Sequence, residues 1–171
     1  VTKQDKDTEN PLDGGIFGLY AASDIKNADG MVVVKKGTLI EKVTTGNDGT
    51  AKFTADLPLG FSYDVKEVQA PSGFYNAGEE KTVKLAYAGQ NVEVVFSETT
   101  FTNDRQKAEV IVTKQDKDTE NLLNGGIFGI YAASDITNVD GTVVAKKGTL
   151  IEKATTGTDG KAKFSADLPL G

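Results

Sequence analysis

A chain of 171 residues with 38% hydrophobic and 26% charged side chains has the balance of a soluble folded protein, with room for one large or two small domains. A formal charge of −6 with scattered lysines argues against a nucleic-acid partner, and no apolar run is long enough to cross a membrane as a helix. Cysteine, histidine and tryptophan are absent, which excludes disulfides, a thiol nucleophile, serine–histidine catalysis and a Cys/His zinc site.

Val1 opens inside a strand-like pattern with no secretory signal before it, so the sequence reads as a piece of a longer protein. Residues 1–10 return unchanged as 112–121, an offset of 112 − 1 = 111. Carried forward without a gap, that offset matches residues 1–60 to 112–171 at 49 of 60 positions. The expected organisation is one complete repeat over residues 1–107 and the front half of a second over 108–171. A charged linker, 104–109, falls at the junction.

Within the repeat the pattern is all strand. Residues 1–5 alternate, and the second copy, 110–114, puts Val110, Val112 and Lys114 on one face. Residues 5–13 are polar and turn-like. Residues 14–20, bounded by glycines, read as a buried strand, and 23–30 as a loop. Residues 31–34 and 38–44 are expected to form a hairpin around Lys35-Lys36-Gly37. Asn47-Asp48-Gly49 is a strong turn, followed by a strand at 51–55 with Phe53 facing inward.

A strand from Tyr63 then breaks at Ala70-Pro71-Ser72-Gly73. Residues 81–87 alternate with Val83, Leu85 and Tyr87 on one side, 92–96 form the next strand, and 99–103 close the unit. About seven or eight short strands with frequent turns and no helical periodicity predict an all-β, antiparallel Greek-key β-sandwich.

Three polar residues fall on apolar strand faces. Lys3, like Lys114, shares the parity of Val110 and Val112; Glu67 shares that of Tyr63 and Val65; Asn103 shares that of Phe101. Lysine and glutamate are rarely fully buried unless paired. One reading makes these solvated edge residues, and another makes them a buried ion pair with an asparagine hydrogen-bonded to it. A third is chemical. Burial lowers a lysine pKa and raises a glutamate pKa, so a neutral amine can attack the asparagine carboxamide. In that scheme Glu67 polarises the carbonyl and shuttles protons, ammonia leaves, and an isopeptide bond remains.

The unit resembles the Cna-B type repeat, also called the SpaA-like prealbumin-fold domain, of Gram-positive surface proteins and pilins. The matching pieces are Val1-Thr-Lys3-Gln-Asp5, Leu12-Asp-Gly-Gly-Ile-Phe-Gly-Leu-Tyr20, Leu59-Gly60, the box from Tyr63 through Glu67 and Ala70-Pro71 to Phe74, and Phe101-Thr-Asn103. The resemblance implies a prealbumin-like, reverse-immunoglobulin-like sandwich. Lys3 and Asn103 then fall at the family's cross-linked positions, and Glu67 at its acid/base. The chain departs from the pattern at Gly14-Gly15, where the family usually has Gly-Ala.

The second copy carries Lys114 without a matching acid or asparagine. Lys114 pairing with Asn103 in a permuted unit, or completion of the half-repeat by a neighbouring molecule, are the alternatives. Asp24, Asn27 and Asp29, repeated as Asp135, Asn138 and Asp140, have calcium-type oxygens, but their spacing misses the EF-hand loop and suits ordinary turns. No metal or cofactor is expected.

The function expected is a structural stalk or spacer repeat of a bacterial adhesin or pilin, stabilised by an autocatalytic Lys3–Asn103 bond and without enzymatic turnover. The location implied is the cell-wall-attached surface of a Gram-positive bacterium. Its partners would be neighbouring repeats and, through other domains, host extracellular matrix, with no nucleic acid and no membrane insertion. The alternative is an adhesin module that binds host protein or glycan through loops 23–30 and 45–50.

Overall fold

The computed structural model describes residues 1–137 and 141–166, and the chain divides into two compact units, Val1–Arg105 and Gln106–Gly171. The first contains strands β1 (Thr2–Asp5), β2 (Ile16–Ala21), β3 (Ile25–Lys26), β4 (Val32–Val34), β5 (Leu39–Thr44), β6 (Ser62–Gln69), β7 (Glu80–Lys84) and β8 (Thr100–Asn103). No helix occurs among the described residues.

Strand β2 is central in an antiparallel sheet ordered β5-β2-β6-β7. Its core-facing side chains, Phe17, Leu19 and Ala21, are buried with Tyr63 and Val65 of β6. Gly18, between two of them, lies under the Tyr20 ring. A Cβ there would lie 2.6 Å from the Tyr20 ring.

The first and last strands, β1 and β8, pair in parallel, with Lys3 opposite Phe101 and Asp5 opposite Asn103. Parallel neighbours need a long connection, and here the rest of the unit serves as that connection. Phe101 closes the core from this second layer, its ring centroid 5.0 Å from that of Phe17. The unit is therefore an all-β sandwich.

The second unit repeats the front of the first: β9 (Val110–Thr113), β10 (Ile127–Tyr131), β11 (Ile136–Thr137), β12 (Val143–Ala145), β13 (Leu150–Thr155) and β14 (Lys161–Phe164). Strand β10 pairs with β13, β11 with β12, and β14 with β9.

Four local expectations are corrected. Strands β4 and β5 are not arms of one hairpin. Strand β4 pairs with β3 and β5 pairs with β2, because Gly37 N donates to the Ala21 carbonyl and Ala21 N to the Thr38 carbonyl, which fastens the turn to β2. Residues 92–96 form no strand, and only Val95 packs against the core, leaving Val92, Val94 and Phe96 exposed. The alternation after β7 runs through buried Leu85 and stops there, with Tyr87 exposed. Residues 51–55 keep their inward Phe53 without a ladder, whereas their second copy forms β14.

Candidate cross-linking site

Lys3, Glu67 and Asn103 converge. Strand β1 supplies Lys3 at 0% exposure, β6 supplies Glu67 at 8%, and β8 supplies Asn103 at 4%. The period-two alternation that sends Tyr63 and Val65 into the core carries Glu67 there too, opposite Phe17 of β2. Lys3 is fixed at its backbone: Lys3 N donates to the Gly49 carbonyl at 2.7 Å, and Leu12 N donates to the Lys3 carbonyl at 3.0 Å. Gly49 has φ +71°, and a Cβ there would lie 2.6 Å from the Lys3 carbonyl oxygen, so the Asn-Asp-Gly turn needs its glycine to approach β1. At Gly15, where the family usually has alanine, a Cβ would come 3.2 Å from the Thr45 hydroxyl and 3.5 Å from Lys3 Cγ.

The carboxylate bridges the other two groups. Lys3 Nζ lies 3.1 Å from Glu67 Oε1, and Asn103 Nδ2 donates to Glu67 Oε2 at 2.8 Å and to the Tyr75 carbonyl at 2.6 Å. The Tyr75 carbonyl can only accept, which fixes the amide with its nitrogen toward Tyr75 and Glu67. Among the described residues, buried Asn103 Oδ1 has no hydrogen-bond partner. Burial pushes the Lys3 amine below the usual lysine range, opposed by the Glu67 carboxylate paired with it.

Glu67 therefore stands at the amide nitrogen, not at the carbonyl oxygen it was expected to polarise. This arrangement suits proton transfer from the amine to the leaving nitrogen.

Several supporting groups escaped the sequence reading. Asp5, on the parity of Lys3, is buried and accepts from the Asp7 and Thr8 amides and from Arg105 Nε, the last at 2.9 Å. Asp104 pairs with Lys6 at 2.9 Å across the surface. Asp104 and Arg105, read as the start of a linker, belong to the first unit. The segment from Phe74 to Asn76 straps β6 to β8: Phe74 bridges to Arg105, Tyr75 N donates to the Asp104 carbonyl, and Asn76 Nδ2 donates to the Glu67 carbonyl.

Lys114 is exposed. Strand β8 pairs with β1 while β9 pairs with β14, so the permuted arrangement that joins Lys114 to Asn103 is not adopted. In the first candidate calcium loop, Asp24 accepts from Lys36 N and Asn27 from Asp29 N and Met31 N, as turn residues do. Asn138 and Asp140 of the second lie outside the described residues.

A family model described as "SpaA: Prealbumin-like fold domain" matches residues 1–100. The chain belongs to the SpaA prealbumin-like fold domain family. The SpaA match takes in Lys3 and Glu67 and ends at Thr100, the first residue of β8, short of Asn103. Among solved structures, the Bacillus anthracis TIE protein is 26% identical with a TM-score of 0.57, over 99% of this chain and 26% of that one. A Streptococcal ancillary pilin is 22% identical with a TM-score of 0.44, over 99% of this chain and 49% of that one. The shaft pilin SpaA from Lactobacillus rhamnosus GG is 17% identical with a TM-score of 0.41, over 97% of this chain and 80% of that one. The chain thus spans a quarter to a half of the first two structures. No curated protein matches it.

Proposed function

We propose that the first unit is a structural spacer repeat of a pilin- or adhesin-type protein on the cell-wall-attached surface of a Gram-positive bacterium, closed by an isopeptide bond between Lys3 and Asn103. The observation that carries this reading is that Glu67 touches both nitrogens, Lys3 Nζ and Asn103 Nδ2, and that all three side chains are buried. The neutral amine attacks Asn103 Cγ, the Cγ–Nδ2 bond breaks, and the proton given up by the amine reaches the departing nitrogen through Glu67. Ammonia leaves, and Glu67 is regenerated in a site already consumed. The chemistry happens once.

The bond would enclose 103 − 3 − 1 = 99 residues of chain. By loop-closure reasoning it removes on the order of 4–5 kcal/mol of unfolded-state freedom. Because β1 and β8 are neighbours, tension entering at one end strand would leave through the other without loading the sheet between.

Intact mass tests the chemistry. The chain should weigh one ammonia less than its sequence, and Glu67→Ala should restore the full mass. An unmodified parent chain overturns the reading.

A further inference from the structure

The two ends of the Asn103 carboxamide are held unequally. Both protons of Nδ2 are spent, one on Glu67 Oε2 at 2.8 Å and one on the Tyr75 carbonyl at 2.6 Å. Among the described residues Oδ1 has no hydrogen-bond partner, although the side chain is buried. The orientation of the group under attack therefore rests on its nitrogen side, on one carboxylate and one backbone carbonyl. Both accept and neither donates, so a flipped amide would set its oxygen against two others. With Glu67 and Tyr75 at this spacing, the amide has one orientation.

One side chain ties those two acceptors together. Strand β7 pairs with β6 as far as Lys66, opposite Glu80, and stops there. One residue further along β6, the Glu67 carbonyl accepts from Asn76 Nδ2 at 3.1 Å. Asn76 follows Tyr75 directly, and its Oδ1 accepts from Gly78 N at 2.7 Å, which closes a turn in which Gly78 has φ +71°. A side-chain amide thus continues the edge of β6 where the ladder ends. From the other side, Tyr75 N donates to the Asp104 carbonyl at 2.9 Å, next to Asn103. The bonds make a circuit from Asn103 to Glu67, through Asn76 to Tyr75, and back to Asn103. Tyr75 is 61% exposed and enters this circuit through its backbone; the side chain that the strap contributes is Asn76.

We propose that Asn76 is a positioning residue for the cross-link: it sets the spacing of the Glu67 and Tyr75 backbones, and through them keeps Asn103 Nδ2 on the carboxylate. The effect on rate rests on the cross-linking reading of Lys3, Glu67 and Asn103; the holding of the amide does not. In that reaction Lys3 Nζ bonds to Asn103 Cγ, the Cγ–Nδ2 bond breaks, and the nitrogen leaves as ammonia with the amine's proton, relayed by Glu67. The relay needs Nδ2, and not Oδ1, beside Glu67 when the bond breaks. With the Tyr75 carbonyl displaced, the amide turns about its Cβ–Cγ bond and the proton loses its acceptor. Asn76 bonds to backbone groups and not to the reacting atoms, so it acts through Glu67 and Tyr75.

The test compares Asn76→Asp and Asn76→Ala with the parent in the full chain. Asn76→Asp keeps the shape and the oxygen that holds Gly78 N but loses the donor to Glu67, so a residue that merely closed the turn would tolerate it. Ammonia loss is timed by intact mass after refolding. Both variants should slow it by about 10- to 100-fold, the scale on which small misplacements of reacting groups act. The second readout is the NMR signal of the Asn103 side-chain NH2 in Lys3→Met, which cannot cross-link. That signal should be protected from exchange with Asn76 in place and lose its protection when Asn76→Asp is added. A parent-like rate in Asn76→Asp overturns the proposal, as does an Asn103 signal that Asn76→Asp leaves unchanged. If the parent itself loses no ammonia, the Lys3–Asn103 reading falls, and the parent's own Asn103 signal decides the holding of the amide. Protection that survives Asn76→Asp then overturns it, and protection lost upholds it.

Discussion

Asp5 and Arg105 meet at 2.9 Å, each two residues beyond a cross-linking candidate: Asp5 after Lys3 on β1, Arg105 after Asn103 on β8. In the parallel β1–β8 ladder Lys3 lies opposite Phe101 and Asp5 opposite Asn103, so the Asp5–Arg105 contact repeats the two-residue offset of Lys3 and Asn103 and helps to hold that register. Burial alone would push the Asp5 carboxyl up; the Asp7 amide, the Arg105 side chain and the Thr8 amide outweigh it and hold Asp5 below its usual range.

Arg105→Ala should therefore slow cross-linking without preventing it, and Arg105→Lys should recover part of the rate. The measurement is ammonia loss by mass against time after refolding. Once the bond is closed, register is held covalently, so the fully cross-linked variant should melt close to the parent. Equal rates for parent and Arg105→Ala would deny Asp5–Arg105 this positioning role. A group whose folded pKa is depressed stabilises above its unfolded pKa and loses that contribution as pH falls through the folded value. In a Glu67→Ala background, Asp5→Asn should then flatten the acid limb of the melting curve.

The alkaline limb reports on Lys3. Its folded pKa is lowered, chiefly by burial, so the unfolded chain holds the proton more tightly. The cost of burying the charged amine is present below the folded pKa and is relieved as pH rises toward the ordinary lysine value, about 10.4. Asn103→Ala, which keeps Lys3 and Glu67 but cannot form the bond, should gain stability relative to the parent across that window. The parent, with an amide where the amine was, lacks this titration. Parallel melting curves between neutral pH and the lysine range would rule out a free, buried amine in the variant.

Much of this architecture was legible in the sequence because strands write burial at period two. The alternation from Tyr63 to Glu67 put the carboxylate on the core face, and the same logic put Lys3 and Asn103 inside. Pairing was less legible, since turn chemistry is local while partners are not. Lys35-Lys36-Gly37 looks like a hairpin tip, and only the distant Ala21 backbone decides that β5 joins β2. Asp5 had the right parity but sat in a stretch read as a polar turn. Arg105 belonged to a charged run whose composition suggested a linker. The placement of Glu67 at the amide nitrogen depended on the Tyr75 carbonyl, a backbone group that no side-chain pattern announces.

Gly49 ties loop geometry to the site. Its positive φ and the 2.6 Å approach of a Cβ to the Lys3 carbonyl leave no room for alanine without moving β1. The strain of a non-glycine residue there is about 1–3 kcal/mol. Gly49→Ala should lower both the melting temperature and the cross-linked fraction, whereas Gly46→Ala, with only the flexible Asp48 side chain 3.7 Å away, should leave the fraction unchanged. Normal cross-linking in Gly49→Ala would mean that Lys3 does not depend on this turn.

Force gives the sharpest separation between a cross-linked spacer and an ordinary sandwich. Lys3 and Asn103 stand near the two ends of the first unit, so a bond between them shields the intervening 103 − 3 − 1 = 99 residues from tension. Stretched by its termini in a single-molecule experiment, the parent should show no unfolding event from that loop at forces that unfold common β-domains. Glu67→Ala should release it in one step, adding about 330–360 Å of contour length at 3.3–3.6 Å per residue. Glu67→Ala also removes the partner of a buried lysine, so its unfolding force should fall below that of Asn103→Ala, which keeps the ion pair, while both give the same length gain. A parent chain that extends by the full loop would show that the end strands are not joined, whatever their proximity.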